Sequence, residues 1–203
     1  MRTAVKPVKT LRLVAGLGNP GKAYAGTRHN AGFAAIDDLA RFFGIRLDKK
    51  KFAAAYGRGA IAANAVILAK PMAFMNRSGT PLKQLAQYYR IECRDWVILH
   101  DDIDLALGSI KIKQKGGSGG HRGIRSLMDA CGHGDFTRVR IGVGRPGPGM
   151  EAADHVLAAF SARERRVFDQ VIPVVREAVA TILCENAEVA MNRFNGLSTL
   201  SSG

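Results

Sequence analysis

Two residues from distant parts of the chain have the types needed to activate a water molecule. His29 lies in a polar loop between an apolar strand and a helix, and Asp101 directly follows a second apolar strand. A carboxylate that accepts a hydrogen bond from one imidazole nitrogen fixes the tautomer and leaves the other nitrogen free to take a proton. No Ser or Cys lies in a sequence typical of an activated nucleophile. We therefore expect His29, supported by Asp101, to act as a general base on water. The alternative is a structural histidine, which is the commoner case.

Two asparagines occur in comparable loops. Asn19 lies in Gly-Asn-Pro-Gly and Asn76 in Phe-Met-Asn-Arg-Ser-Gly, each after a predicted strand. Asn in a turn commonly caps the backbone or adopts a left-handed conformation, so each residue alone can have a structural role. Beside a His-Asp pair, however, the two amides could hydrogen-bond a carbonyl group or a developing oxyanion. The combination favours the hydrolysis of an ester or an amide.

Alternating strands and helices position these residues. Apolar or alternating runs predict strands at 11–17, 52–60, 65–69, 96–100, 110–114 and 136–143, and helical spacing predicts helices at 31–43, 80–89, 123–130 and from 161 past 183. We therefore expect a single α/β domain with a mixed, mostly parallel sheet and helices on both faces. Its core would cover about residues 11–196, between a short basic N-terminal leader and a flexible C-terminal tail. Ligands of such sheets bind at loops beyond the carboxyl ends of the strands, here 18–30, 71–79, 100–108 and 115–122.

Local signals define the ends of some helices and the character of one strand. Thr80 is a candidate N-cap with Pro81 at the first helical position. Ser161 and Glu164 have the spacing of a capping box. Pro173 is expected to bend the long helix that follows. The alternation in 136–143 predicts a strand with one basic face.

Two other kinds of site are disfavoured. Asp101, Asp102 and Asp104 carry the hard oxygen ligands that Mg²⁺ prefers, but alternation at a strand end would point them in different directions. Gly16-Leu-Gly-Asn-Pro-Gly21 formally matches a dinucleotide-binding motif, yet Pro20 removes an N–H donor and no helix follows at once. With Lys22 the segment approaches a P-loop but lacks its Ser or Thr. We predict neither a metal nor a cofactor.

The charge of the chain indicates a polyanionic partner. Lys and Arg total 30 against 17 Asp and Glu, which gives a net charge of +13. The excess is concentrated in residues 1–52, with 11 basic and 3 acidic side chains, and in residues 111–150, with 8 and 2. A generic basic surface is the alternative. No apolar run approaches the roughly 18 residues of a membrane span, so we expect no membrane insertion.

The cysteines indicate a reducing environment. Cys93, Cys131 and Cys184 are odd in number and widely spaced, with no Cys-x-x-Cys pair. This pattern disfavours both a disulfide framework and a structural zinc site. The N-terminal residues are basic but are not followed by the apolar stretch of a signal peptide. We therefore expect a cytoplasmic protein.

Six motifs occur in order along the chain: Gly16-Leu-Gly-Asn-Pro-Gly21, Tyr24-x-x-Thr-Arg-His-Asn30, Pro71-x-x-Phe-Met-Asn-x-Ser-Gly79, His100-Asp-Asp-x-Asp-Leu105, Gly119-Gly-His-x-Gly123 and Arg138-x-Arg-Ile-Gly-Val-Gly-Arg-Pro146. These motifs are similar to those of the bacterial-type peptidyl-tRNA hydrolase family. The resemblance implies a cofactor-free, monomeric enzyme with no obligate protein partner. It would cleave the ester between a peptide and the 3′-terminal ribose of tRNA, recycling tRNA from prematurely released peptidyl-tRNA in ribosome rescue. The alternative is a non-catalytic RNA-binding relative that acts in RNA processing.

The resemblance also implies a role for individual residues. His29 would be the general base, Asp101 its support, Asn19 a contact to the peptide, and Asn76 a group that positions substrate or water. Tyr24 and Phe74 would line the groove for the terminal nucleotide and the peptide, while Lys111, Lys113 and Arg140 would meet tRNA phosphates of the acceptor stem and 3′ CCA end. Two positions depart from the family pattern, Arg122 where Asn is usual and Ala73 where Thr is common. Because Arg has donors but no acceptor, Arg122 could retain a contact to phosphate or carbonyl but not one that accepts.

Overall fold

The computed structural model describes residues 10–196, which form one α/β domain around a seven-stranded sheet of order β2-β3-β4-β1-β5-β7-β6. The four central strands, β4, β1, β5 and β7, are parallel, and the outer pairings β2–β3, β3–β4 and β7–β6 are antiparallel. The predicted fold class is confirmed. The strands are β1 Arg12–Gly16, β2 Lys49–Lys51, β3 Ala54–Ile61, β4 Asn64–Pro71, β5 Trp96–Asp102, β6 Ile110–Lys113 and β7 Thr137–Gly142.

Helices cover both faces because the sheet is apolar on both sides. Along β1, Val14 belongs to one buried cluster, which includes α1, α5 and α6, while Leu13 and Ala15 belong to the other, which includes α2 and α3. All three side chains are fully buried. The helices are α1 Ala31–Phe42, α2 Gly79–Tyr88, α3 Arg122–Cys131, α4 Ala152–Leu157, α5 Ala162–Cys184 and α6 Ala187–Phe194.

Glycines let α1 pack closely against β1 and β5. A Cβ on Gly16 would lie 2.0 Å from the carbonyl oxygen of Gly32, and a Cβ on Gly32 would lie 2.3 Å from that of Leu99. A Cβ on Gly18 would meet the ring of Phe33 at 2.6 Å. These glycines therefore serve helix–sheet packing, which agrees with the rejection of the dinucleotide motif. Short 3₁₀ turns at Lys22–Tyr24 and Arg28–Asn30 separate Gly16 and Gly18 from α1.

The antiparallel edge strand β6 changes the path of the glycine-rich loop. Lys113 pairs with Arg138 and Lys111 with Arg140, so β6 ends near the amino end of β7. We expected residues 115–122 to follow the carboxyl end of a parallel strand, but they do not. The loop instead passes back along the sheet until His121 reaches Asp101. Arg138 holds the start of the loop by donating to the carbonyl oxygens of residues 116 and 117.

Some local predictions are confirmed and others are wrong. The capping box of Ser161 and Glu164 forms. Pro173 lies inside the single helix α5, and the bend expected there stays a prediction. However, α2 begins at Gly79 and its N-cap is Ser78, so Thr80 is not the cap. The elements β2, α4 and α6 were not predicted. They are short, at three to eight residues, and β2 consists of three exposed lysines without an apolar pattern.

A disulfide bond joins Cys93 and Cys131, so our expectation of unpaired cysteines is wrong for these two residues. Cys93 begins the turn before β5, and Cys131 ends α3. Both lie at the same apolar cluster as Trp96, which brings their Cα atoms to 6.5 Å although 38 residues separate them in sequence. Spacing alone could not reveal this tertiary proximity. Cys184 is exposed and free.

The remaining predictions concern the two ends of the chain and membrane crossing. Most of the basic N-terminal leader and the flexible C-terminal tail lie outside the described residues, so both stay predictions. Among residues 10–196, none of the helices combines the length and the apolar character that a membrane crossing requires.

Candidate active site

Asp101 is the centre of a hydrogen-bonded cluster at the carboxyl end of β5. Its carboxylate accepts from Nδ1 of His29, at 3.0 and 2.9 Å from its two oxygens, and from Nε2 of His121, at 2.9 Å. His29 comes from the turn before α1, and His121 is the residue before α3. The predicted pairing of His29 with Asp101 is therefore present. His121 is a third member to which no role was assigned from the sequence.

The backbone of α3 fixes the tautomer of His121. Its Nδ1 accepts hydrogen bonds from the N–H groups of Gly123 and Ile124, at 3.1 and 3.2 Å, and so caps the helix. A nitrogen that accepts two N–H bonds carries no proton, so the ring hydrogen must be on Nε2, which donates it to Asp101. His121 is thus committed at both nitrogens. It is a positioning residue for Asp101 and is not available as a base.

His29 is committed at only one nitrogen. Its Nδ1 donates to Asp101, which leaves the lone pair of Nε2 without a partner among the described residues. Its side chain is 12% exposed, and it lines the cavity described below. A neutral imidazole that is fixed in this tautomer and open at Nε2 has the form of a general base. The geometry therefore distinguishes His29 from His121, although both contact the same carboxylate.

The electrostatics of Asp101 follow from this cluster. Burial would raise the pKa of the Asp101 carboxyl, which is 2% exposed, but the interactions with His121 and His29 lower that pKa far below its ordinary value. Asp101 is therefore a carboxylate at every physiological pH. The adjacent His100 is the opposite case, because burial, followed by the effect of His121, lowers its pKa well below the ordinary value. His100 is neutral and donates from Nδ1 to the backbone oxygen of Asp101 at 2.7 Å.

Hydrogen bonding accounts for the approach of these three side chains. His29, Asp101 and His121 offer ligand atoms within 4.8 Å of one another, a set that could in principle hold a metal ion. Their N–O distances of 2.9 Å are shorter than the roughly 3.3 Å between ligands at the corners of a tetrahedral zinc site. They match charge-assisted hydrogen bonds instead. Protons between these atoms account for the arrangement without a metal.

A cavity of about 550 Å³ is lined by His29 and Asp101. Apolar residues of α4 form one wall, and the glycine-rich loop and the end of β5 form another. Asn19 contributes to a third wall and is held firmly, because its Oδ1 accepts from the backbone N–H of Met75 at 2.8 Å. Asn30 exchanges two hydrogen bonds with the backbone of Asn19. The Nδ2 group of Asn19 makes no hydrogen bond among the described residues, so it is available as a donor to a ligand.

The other predicted groove residues lie at the mouth of this cavity. Asn76 is exposed and lines the cavity, and Phe74 lines it with 56% of its surface exposed. Tyr24 does not line the cavity itself, but its ring packs edge-on against Phe74 at 6.4 Å between centroids. Both rings follow carboxyl ends of parallel strands, as the sequence predicts.

Arg28 joins the turn of His29 to the opposite wall of the cavity. Its buried guanidinium donates to the carbonyl oxygens of His155, Ala158 and Ala159 and to the carboxylate of Glu164 at 2.6 Å. Burial would raise the pKa of Glu164, but hydrogen bonds from Ser161 and Arg28 lower it to about 2. This link was not predicted from the sequence. Its only signal there is an arginine next to the candidate base.

The predicted tRNA-binding residues differ in their availability. Lys111 and Lys113 are exposed on β6, and no ion pair is present for either within residues 10–196. Arg140, beside Lys111, is instead ion-paired with Asp102. The arginines of the basic face predicted for β7 therefore mostly bind other groups of the same protein. Arg122 is exposed at the first turn of α3 and lines the cavity.

Comparison with known proteins agrees with this geometry. The family model for peptidyl-tRNA hydrolase matches residues 13–202. The chain belongs to the peptidyl-tRNA hydrolase family. It is 45% identical to the peptidyl-tRNA hydrolase of Caldanaerobacter subterraneus subsp. tengcongensis over 184 residues, 91% of this chain and 99% of that protein. It is 42% identical to the Bacillus subtilis peptidyl-tRNA hydrolase over 183 residues, 90% of this chain and 97% of that protein.

A solved structure gives the same result for the fold. The peptidyl-tRNA hydrolase of Acinetobacter baumannii superposes with a TM-score of 0.88 at 36% identity, covering 95% of this chain and 98% of that one. Family membership confirms the predicted activity, which is the enzymatic hydrolysis of peptidyl-tRNA. Similarity alone does not establish the roles of individual residues, which rest on the geometry of the site.

Proposed function

We propose that the chain hydrolyses the ester between a peptide, or an N-blocked amino acid, and the 3′-terminal ribose of tRNA, with His29 as the general base. The observation that carries this proposal is the fixed tautomer of His29, whose Nδ1 donates to Asp101 while Nε2 has no partner among the described residues, in a side chain that lines the cavity. This side chain can take a proton from a water molecule.

The reaction balances with water as the only co-substrate. His29 Nε2 removes a proton as the water oxygen bonds to the ester carbonyl carbon. The bond between that carbon and the ribose oxygen then breaks, and the proton returns from His29 to the leaving oxygen. Asp101 stabilises the transient imidazolium without taking its proton. The products are the free peptide acid and tRNA.

Asn19 supplies a donor for the peptide side of the substrate. With Oδ1 engaged by Met75, its Nδ2 can donate to a peptide carbonyl oxygen but cannot accept from an ammonium group. A free aminoacyl-tRNA, which carries a cationic α-amino group and lacks that carbonyl, would not make this hydrogen bond. Asn76 lies at the cavity mouth, where it could position substrate or water. These features support a preference for N-blocked substrates.

The RNA part of the substrate is proposed to lie toward β6. Lys111 and Lys113 offer two exposed ammonium groups there, and Arg122 offers a third cation at the cavity. Contacts to phosphate carry no sequence information, which suits an enzyme that accepts many tRNAs. Arg140 would contribute only if its ion pair with Asp102 opened.

The test is release of the blocked amino acid from N-acetylaminoacyl-tRNA. We expect His29→Ala to reduce kcat by about 10²–10⁴-fold, because general base catalysis is lost. His133→Ala is the matched control, since His133 is an exposed histidine in the turn before β7 and outside the cavity lining. Equal rates for the parent and His29→Ala would exclude His29 as the base. Binding without any hydrolysis by the parent would favour the non-catalytic RNA-binding alternative.

A further inference from the structure

A second basic surface lies at the sheet edge opposite β6. It comprises the three lysines of β2, of which Lys49 and Lys51 share one face and Lys50 lies on the other. The rings of Phe52 and Tyr88 neighbour Lys51, and we call this surface the β2 surface. All three lysines are exposed, and none forms an ion pair within residues 10–196. The nearest carboxylate in sequence, that of Asp48, pairs with Arg46. This surface accounts for part of the basic excess near the N-terminus that catalysis does not use.

The β2 surface also presents an aromatic ring to solvent. Tyr88 is 55% exposed, and Nζ of Lys51 lies 3.6 Å from its ring centroid. The ring of Phe52 lies 6.0 Å from that of Tyr88, and the ring of Tyr89 lies 5.0 Å from it. The exposed ring is thus supported by packed neighbours and accompanied by an ammonium group.

The sheet register places this surface level with the active site. Lys51 pairs with Ala54, which pairs with Pro71, the last residue of β4. At the other edge, Lys111 pairs with Arg140, which pairs with His100. Ala69 of β4 and Ile98 of β5 both pair with Ala15 of β1, so they lie at the same level of the sheet. Pro71 and His100 each lie two residues further along their strands, so they are also level with each other. With a strand spacing of about 4.8 Å, the two lysine-bearing edges are about 29 Å apart, and the site lies between them.

We propose that the β2 surface binds single-stranded RNA. Proteins that bind single-stranded nucleic acid without sequence preference combine cations that meet the phosphates with exposed aromatic rings on which bases stack. The β2 surface has both features. It lies four strand spacings, about 19 Å, from β5, on the side opposite to Lys111, so it would contact an RNA segment other than the one at β6.

Two alternative roles for the β2 surface make different predictions. Lysines on an edge strand also prevent pairing between sheets, but that role requires charge alone and no stacked ring. Lysines with an aromatic ring also suit an anionic membrane surface. RNA is the favoured partner because the chain belongs to a family that acts on tRNA. The contribution of the Tyr88 ring separates these roles.

The test is fluorescence anisotropy with a labelled, unstructured oligoribonucleotide at several salt concentrations. We expect Lys49→Gln/Lys51→Gln to lower the log–log salt slope by about 0.7 for each phosphate that is no longer neutralised. We expect Tyr88→Leu to weaken binding by about tenfold and Tyr88→Phe to retain it, because the aromatic ring is kept. The matched charge control is Arg163→Gln/Arg166→Gln, which removes two exposed cations from α5.

Each outcome decides the proposal. A parent-like salt slope in Lys49→Gln/Lys51→Gln, or parent-like affinity in Tyr88→Leu, would overturn it. So would an effect of equal size in the α5 control, or loss of binding to anionic phospholipid vesicles but not to the oligonucleotide. Hydrolysis of N-acetylaminoacyl-tRNA should stay at the parent kcat in the β2 surface variants, so the result is independent of the proposed role of His29. A thermal melt checks that each variant folds.

Discussion

Replacing Asp101 with Asn tests whether the shared carboxylate selects the working tautomer of His29. In the parent, the carboxylate accepts N–H bonds from His29 and His121 at 2.9 Å each. An asparagine replaces one of the two carboxylate oxygens with a donor NH₂. His121 contacts only Oδ1 and cannot change tautomer without losing two backbone bonds at the start of α3, so the amide oxygen must stay on its side. The NH₂ then takes the place of Oδ2, the oxygen 2.9 Å from Nδ1 of His29, so His29 is the ring whose hydrogen bonding is disturbed.

The expected loss of activity follows from these hydrogen bonds. If His29 turns its Nδ1 lone pair toward the asparagine NH₂, its proton moves to Nε2, and the base is blocked. A general base contributes about 10²–10⁴-fold to the rate, so kcat should fall by that factor. The cavity walls do not depend on the charge of Asp101, so KM should change little. The assay is steady-state hydrolysis of N-acetylaminoacyl-tRNA, with Asp104→Asn as the control because Asp104 is exposed and pairs with Arg145 instead.

Asp101→Asn should also change how the free energy of unfolding depends on pH. The pKa of Asp101 is lower in the folded protein than its ordinary value of 3.8, so the carboxylate stabilises the fold above that pH and this contribution fades as the pH falls below it. The gap in free energy of unfolding between the parent and Asp101→Asn should therefore narrow in acid. A kcat within tenfold of the parent, or a gap that widens in acid, would refute the proposed role of the carboxylate.

Three further predictions concern the supporting residues. His121→Ala removes a helix cap and a hydrogen bond to Asp101. Urea unfolding should therefore show a free energy of unfolding lower by about 2 kcal/mol, and kcat should be reduced. An unchanged free energy of unfolding would contradict the capping role. The pKa of Glu164 is lowered in the folded protein, so the parent should lose free energy of unfolding as the pH falls from 4.5 to about 2, and Glu164→Gln should lose less over that range. Plots of the free energy of unfolding against pH that run parallel for the parent and the variant would contradict this. Lys111→Gln/Lys113→Gln should lower the salt slope of tRNA binding by about 0.9 for each phosphate that is no longer neutralised; an unchanged slope would place the RNA elsewhere.

The parts of the fold that the sequence predicts are those whose residues carry a periodic apolar pattern. β1, β5 and α1 are buried on the side that their pattern indicates, and their positions are correct to within two residues. β2 has no such pattern, because an exposed edge strand needs backbone pairing but no apolar face. Local chemistry also misplaced the start of α2, where Ser78 precedes Gly79 and tertiary packing determines the first turn.

In the candidate site, too, some residues could be predicted from the sequence pattern and others could not. The types and loop positions of His29, Asp101 and Asn19 predict their convergence, because the carboxyl ends of parallel strands meet at one edge of the sheet. His121 was missed because its loop follows an antiparallel strand and returns along the sheet, a path that depends on the direction of β6. The ion pair of Arg140 was missed for a similar reason, since its partner Asp102 lies on a neighbouring strand.

The choice between two histidines on one carboxylate is made by the backbone. By residue type, His29 and His121 are equivalent candidates for the base, and both side chains are mostly buried beside Asp101. The difference is that His121 precedes a helix whose first free N–H groups point at its Nδ1, whereas Nε2 of His29 has no partner among the described residues. A helix start thus converts one imidazole into a fixed donor that holds the carboxylate, and the carboxylate in turn holds the other imidazole as an acceptor. The tautomer of His29 therefore depends on α3, which acts on it through His121 and Asp101.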